Sequence, residues 1–73
     1  MRRLKTERFS PREAQILHLI ADGSTDKEVA ATLGISLKTV GTHLGRIYRR
    51  LGIRSRTEAV VALLRVENHE LVE

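Results

Sequence analysis

The apolar residues of this chain recur every three or four positions, in four separate blocks, and nowhere alternate with the period of a strand. Ile16, Leu17, Ile20 and Ala21, with Ala14 one turn earlier, form the expected inward face of a first helix, and Val29, Ala30 and Leu33 that of a second. A third block, Val40, Leu44, Ile47 and Leu51, is a single narrow stripe spaced four, three and four. These spacings place the apolar side chains on one side of a 3.6-residue helix. The fourth block is apolar nearly all round: Ala59, Ala62, Leu63 and Val66 make one face, and Val60, Val61 and Leu64 a second. Such a helix is either deeply buried or shared with a neighbour. A chain of 73 residues has little interior in which to bury it. A symmetric dimer contact through this helix is therefore favoured over simple coverage of the core, with Val60, Val61 and Leu64 as candidate interface residues. The pattern does not decide which face turns inward.

Polar residues mark where the helices start and stop. A Ser or Thr followed three residues later by Glu is a capping box, and three occur: Ser10 with Glu13, Thr25 with Glu28 and Ser55 with Glu58. Pro11 suits the opening helical position, and Phe9 before the cap is placed to staple onto Ala14. Ser36 opens a fourth start without the reciprocal acid, since Thr39 stands where Glu would. Gly23, Gly34 and Gly52 follow the first three helices, where a left-handed residue ends a helix at little cost. The expectation is an all-α fold of four helices near 11–22, 26–33, 37–51 and 56–66. One domain, 10–66, lies between a basic flexible arm, 1–9, and an acidic tail, 67–73, carrying Glu67, Glu70 and Glu73.

Charge adds a function to this outline. Residues 26–51 read as two short helices joined by a tight glycine turn, the second apolar on one side and basic or small on the other. Lys38, Thr42, Gly45, Arg46 and Arg49 lie opposite its apolar stripe. Between Leu37 and Thr57 stand Lys38, Arg46, Arg49, Arg50, Arg54 and Arg56, with no acid among them. One stripe to anchor the helix and an opposite basic face are what a helix lying in the DNA major groove needs.

Other chemistries find little support. There is no cysteine for a disulfide or a thiolate metal site. His18 and His69 are isolated, with no second ligand at metal spacing, so no metal or other cofactor is expected. His43 sits at the margin of the apolar stripe, where packing or a neighbouring phosphate accounts for it better than catalysis does. Tyr48 reads as a packing residue, and two aromatic residues in all argue against a single-strand binder built on stacking. Glu13 and Glu28 are explained by their capping boxes. No nucleophile or phosphate loop suggests an enzyme. The basic start lacks the apolar stretch of a signal peptide, and the apolar run at 59–64 is far too short to span a bilayer. A soluble, cytoplasmic protein with no membrane partner is expected.

FSPREAQIL at 9–17, ADG at 21–23, KEVAATLGIS at 27–36, Thr39 and Val40, His43, Ile47 and RRLGIRSRTEAV at 49–60 together resemble the LuxR-type, or GerE-type, helix-turn-helix domain. The resemblance runs through most of the chain in one register. It implies a four-helix domain that binds double-stranded DNA, dimerises through its last helix and regulates transcription, with RNA polymerase as a further candidate partner. It implies that the helix at 37–51 reads the major groove, that Thr39 contacts phosphate and that the linker holding Arg54 and Arg56 tracks the backbone. The candidate DNA-binding set is then Lys38, Thr39, Thr42, Arg46, Arg49, Arg50, Arg54 and Arg56. The length and the C-terminal ending look like a free-standing member without a sensor domain; the last domain of a larger response regulator is the alternative. The chain departs from the family pattern at Gly41 and Gly45, where long polar or basic side chains are usual. Either the glycines let the backbone approach DNA closely, with Thr42 offering its methyl and hydroxyl, or base readout is blunted and binding is weakly selective. A protein-binding helix-turn-helix and the last domain of a sigma factor are the competing readings.

Overall fold

A computed structural model describes residues 9–72, with side chains as far as Asn68, and contains four helices among them: α1, Pro11–Ala21; α2, Asp26–Leu33; α3, Leu37–Leu51; and α4, Arg56–Val72. Of the flexible arm expected at 1–9, residues 1–8 lie outside the described residues, and Phe9 is a correction: it is buried in the core.

Each start is built by the residues that mark it. Ser10 Oγ accepts the Glu13 amide at 3.1 Å while Glu13 Oε1 accepts the Ser10 amide at 3.0 Å. Thr25 and Glu28 repeat the exchange at the head of α2, at 3.2 and 2.8 Å. Ser36 caps α3 through the Thr39 amide alone. At α4 the expected box closes only by half: Ser55 Oγ accepts the Glu58 amide, but Glu58 Oε1 takes the amide of Arg54 instead of that of Ser55.

All three glycine stops share one design. At the end of α1, Gly23 has φ 99° and the Ser24 amide donates five positions back to the Leu19 carbonyl at 3.0 Å. Gly34 and Gly52 adopt φ of 69° and 68°, a left-handed conformation that is inexpensive only without a Cβ. The next residue then donates its amide five positions back, Ile35 to Ala30 and Ile53 to Tyr48, both at 3.0 Å. This is the six-to-one bond of a Schellman ending. Both isoleucines pack against the core.

α1 packs chiefly on α4 and α2 on α3, with α1 also touching α2 and α3. Phe9, Ile16, Leu17, Ile20, Val29, Ala30, Val40, Leu44, Ile47, Ala59 and Leu63 form the buried cluster. All four expected apolar faces therefore contribute, and Ala59 and Leu63 mark the inward face of α4. Ala21 is a correction: it is exposed, because α1 ends there and the chain turns away at Asp22. A second correction concerns the acidic tail, because α4 continues through Glu67 to Val72. Neither glycine nor proline follows Val66 to stop it. Glu67 Oε2 also lies 2.6 Å from His18 Nε2, tying the added turns to α1.

Buried Glu13, 7% exposed, joins α1 to α3. Arg50 donates to it through both terminal nitrogens, Nη2 to Oε1 at 2.7 Å and Nη1 to Oε2 at 3.1 Å. The guanidinium hydrogen bonds hold the carboxyl below its ordinary pKa; they prevail over burial, which pushes it up, and are aided by the Ser10 amide and by the charges of Arg50 and His43. The depressed folded value means that Glu13 stabilises the fold fully above its unfolded pKa. That contribution is lost as pH falls through the lower folded value.

Replacing Glu13 with Ala removes a cap partner and the two-oxygen acceptor of Arg50. The expected loss is about 2 kcal/mol, a fall in Tm of about 10 °C by calorimetry. The difference between wild type and Glu13→Ala should narrow in acid, below the ordinary carboxylate range. A gap unchanged at low pH would mean that the ion pair contributes nothing. Gly41 and Gly45, inside α3, have no neighbour within 4 Å of where a Cβ would stand and lack a positive φ. Gly41→Ala and Gly45→Ala should therefore each stabilise the domain by about 1 kcal/mol, raising Tm by roughly 5 °C. A fall in Tm would expose a packing role that the fold does not account for.

Candidate nucleic-acid interface

α3 owes its position to one-sided burial. Val40 and Ile47 are wholly buried and Leu44 nearly so, while Leu51 is half-buried at the end of the helix. The opposite side consequently faces solvent. It carries Lys38, Thr42, Arg46 and Arg49, all exposed, with Gly41 and Gly45 between them. No acidic side chain occurs on α3. Among the described residues no carboxylate pairs with Lys38, Arg46, Arg49 or Arg54. This face is a continuous cationic strip whose charges are not neutralised internally.

The other candidates stand differently. Arg50 is engaged by Glu13, and the bond raises the guanidinium's own pKa. Arg56 donates Nη2 to Asp26 Oδ1 at 2.8 Å, tying the start of α4 to the first turn of α2. Both have structural work beside any contact with a ligand, and nothing in the sequence signals partners 37 and 30 residues away. Thr39 is half-buried, its hydroxyl 2.8 Å from Ser36 Oγ and its amide on the same oxygen. Thr42 donates its hydroxyl back to the Lys38 carbonyl at 3.1 Å. On α4, Val61 and Leu64 are 39% and 45% exposed, while Val60 of the same expected face is half-buried and packs against the core, so only part of the second apolar face is left in solvent.

His43 is half-buried, and its charge contributes to lowering the pKa of Glu13, so it belongs to the α1–α3 junction. Tyr48 packs against the core, where burial raises its hydroxyl pKa. Sequence reasoning assigned Glu13 to capping alone and missed its hold on Arg50. It also passed over Leu37, which is half exposed at the head of α3. Among the described residues there is no cluster of three potential metal ligands, and no helix is long and apolar enough to cross a membrane.

Known proteins are similar to this chain in sequence. The family profile for bacterial regulatory proteins of the luxR family matches residues 7–63. The spore germination protein GerE of Bacillus subtilis is 42% identical over 63 residues, covering 86% of this chain and 85% of GerE. The transcriptional regulatory protein TdiR of Thauera aromatica is 43% identical over 61 residues, and the transcriptional regulatory protein LiaR of B. subtilis 45% identical over 58. The match spans 84% of this chain but only 27% of TdiR, and 80% of this chain but only 28% of LiaR. The cationic α3 is thus the second helix of a known type of helix-turn-helix, and the sigma-factor alternative gives way. The chain belongs to the LuxR family of bacterial regulatory proteins, and its four helices are that family's DNA-binding, transcription-regulatory domain.

Proposed function

We propose that the chain acts in the cytoplasm as a homodimeric, sequence-specific regulator of transcription, laying α3 in the major groove of double-stranded DNA. The observation that carries this reading is the unneutralised cationic side of α3, fixed outward by the buried stripe behind it. Lys38, Arg46 and Arg49 with Arg54 from the linker supply phosphate contacts, and Thr39 at the helix start adds an uncharged one. Phosphate contacts set orientation, while base contacts specify sequence. The second protomer is supplied by α4, whose Val61 and Leu64 lie in solvent beside half-buried Val60. Two copies related by a two-fold axis would present two recognition helices to two half-sites.

Electrophoretic or fluorescence binding at graded salt tests this reading. With four such cations per protomer and two protomers, log affinity against log salt should fall with a slope of about −7. Arg49→Ala should reduce the slope by about 2 in the dimer and weaken binding on every sequence alike. An unchanged slope would remove Arg49 from the interface, and salt-insensitive binding would favour a protein-binding module. For the dimer, sedimentation of Leu64→Glu should show a monomer where wild type shows a dimer, with two-site DNA bound more weakly. A wild type that stays monomeric at high concentration and on DNA would sink the two-fold arrangement.

A further inference from the structure

Among the described residues three large apolar side chains are left in solvent: Val61 and Leu64 on α4, and Leu37, 50% exposed, at the first position of α3. The dimer contact accounts for the first two and leaves Leu37 unexplained. It lines an open groove together with Gly41, Ile20, Thr25, Lys27 and Arg56. On a 3.6-residue helix Gly41 lies one turn beyond Leu37 and Gly45 one turn beyond that, while Thr42 lies one turn beyond Lys38 in the adjoining row. Neither glycine is required by a neighbour or by backbone conformation. The Thr42 hydroxyl proton is committed to the Lys38 carbonyl, so toward a ligand this side chain offers a methyl group and an acceptor lone pair. The patch of Gly41, Thr42 and Gly45 lacks the forked donors and acceptors that read guanine or adenine edges, the nearest fork being Arg46 one turn beyond Thr42. It is apolar and low in relief, inside a frame of Lys38, Arg46, Arg49 and Arg54.

In the major groove the apolar mark is the C5 methyl of thymine. We infer that Thr42 and Leu37 are specificity-determining residues that read thymine methyl groups, with Gly41 and Gly45 allowing α3 to sit deep enough for a short side chain to reach them. The inference rests on the DNA-binding reading above. The surrounding cations, which complement phosphate on both sides of a groove, favour duplex DNA over an apolar protein partner for this surface.

The test uses the whole chain and a duplex selected from a randomised pool at near-physiological salt. Each thymine of the enriched site is then replaced by deoxyuridine, which pairs identically but lacks the methyl. Burying one methyl corresponds to about a fourfold change in affinity, so affinity should fall by about that factor at one or two positions in each half-site. Thr42→Ser, which keeps the oxygen and drops the methyl, should abolish the thymine–uridine difference at one position; Thr42→Val, which keeps the methyl, should preserve it. Leu37→Ala should abolish it at the other. Salt-dependent binding with no uridine effect anywhere, or with no enriched site, would overturn the inference and leave the DNA-binding reading standing. Loss of the difference in Thr42→Val but not in Thr42→Ser would also overturn it, transferring the readout to the oxygen. Failure to bind any duplex, at any salt, would withdraw the DNA-binding reading itself.

Discussion

The burial of Val40, Leu44 and Ile47 along one side of α3 is the constraint from which the rest of the site follows. A helix held by a single narrow stripe has its rotation about its own axis fixed, because any turn would bring a charged or glycine position into the core and expose an aliphatic one. Lys38, Arg46 and Arg49 therefore face outward through no interaction of their own. The bond from Arg50 to Glu13 acts at the far end of the same helix, holding it against α1. A basic helix is easily formed from many sequences; what this fold adds is a defined bearing for its cations.

The connections between helices rely on the same economy. In Gly34–Ile35–Ser36 and in Gly52 through Ser55, a glycine turns the chain, an isoleucine returns it to the core and a serine opens the next helix. Two consecutive helices are thereby oriented with few residues, and the isoleucines make each turn part of the packing. The linker holding Arg54 is short and anchored at both ends, by Ile53 in the core and by the Arg54 amide on Glu58.

Features that depend on neighbours in sequence were legible there. The three Ser/Thr–Glu spacings, the glycine stops and the stripes of α1 to α3 gave the helix count, the starts and most of the core. The family-like run from Phe9 to Val60 gave the fold and marked the helix proposed to lie on DNA. Features that depend on distant residues were not legible. Arg50 and Glu13 are 37 residues apart, Arg56 and Asp26 are 30 apart, and His18 and Glu67 are 49 apart. No spacing rule links such pairs, so Arg50 and Arg56 looked like two more phosphate ligands in a basic run. The end of α4 was misjudged because Glu67, Glu70 and Glu73 suggested an acidic tail, although neither glycine nor proline stood there to stop the helix. Which side of α4 faces inward was equally open until α1 was seen packed against Ala59 and Leu63.

The empty space over Gly41 and Gly45 has a meaning for descent as well as for binding. Both positions lie on the surface that would meet a base pair, and neither touches the core. A Cβ could be added at either position without meeting a neighbour, and most substitutions would also strengthen the helix. On the proposed reading, the part of the molecule that would choose its target is thus mechanically uncoupled from the part that keeps it folded. A change of address made at these two positions would leave the scaffold beneath undisturbed.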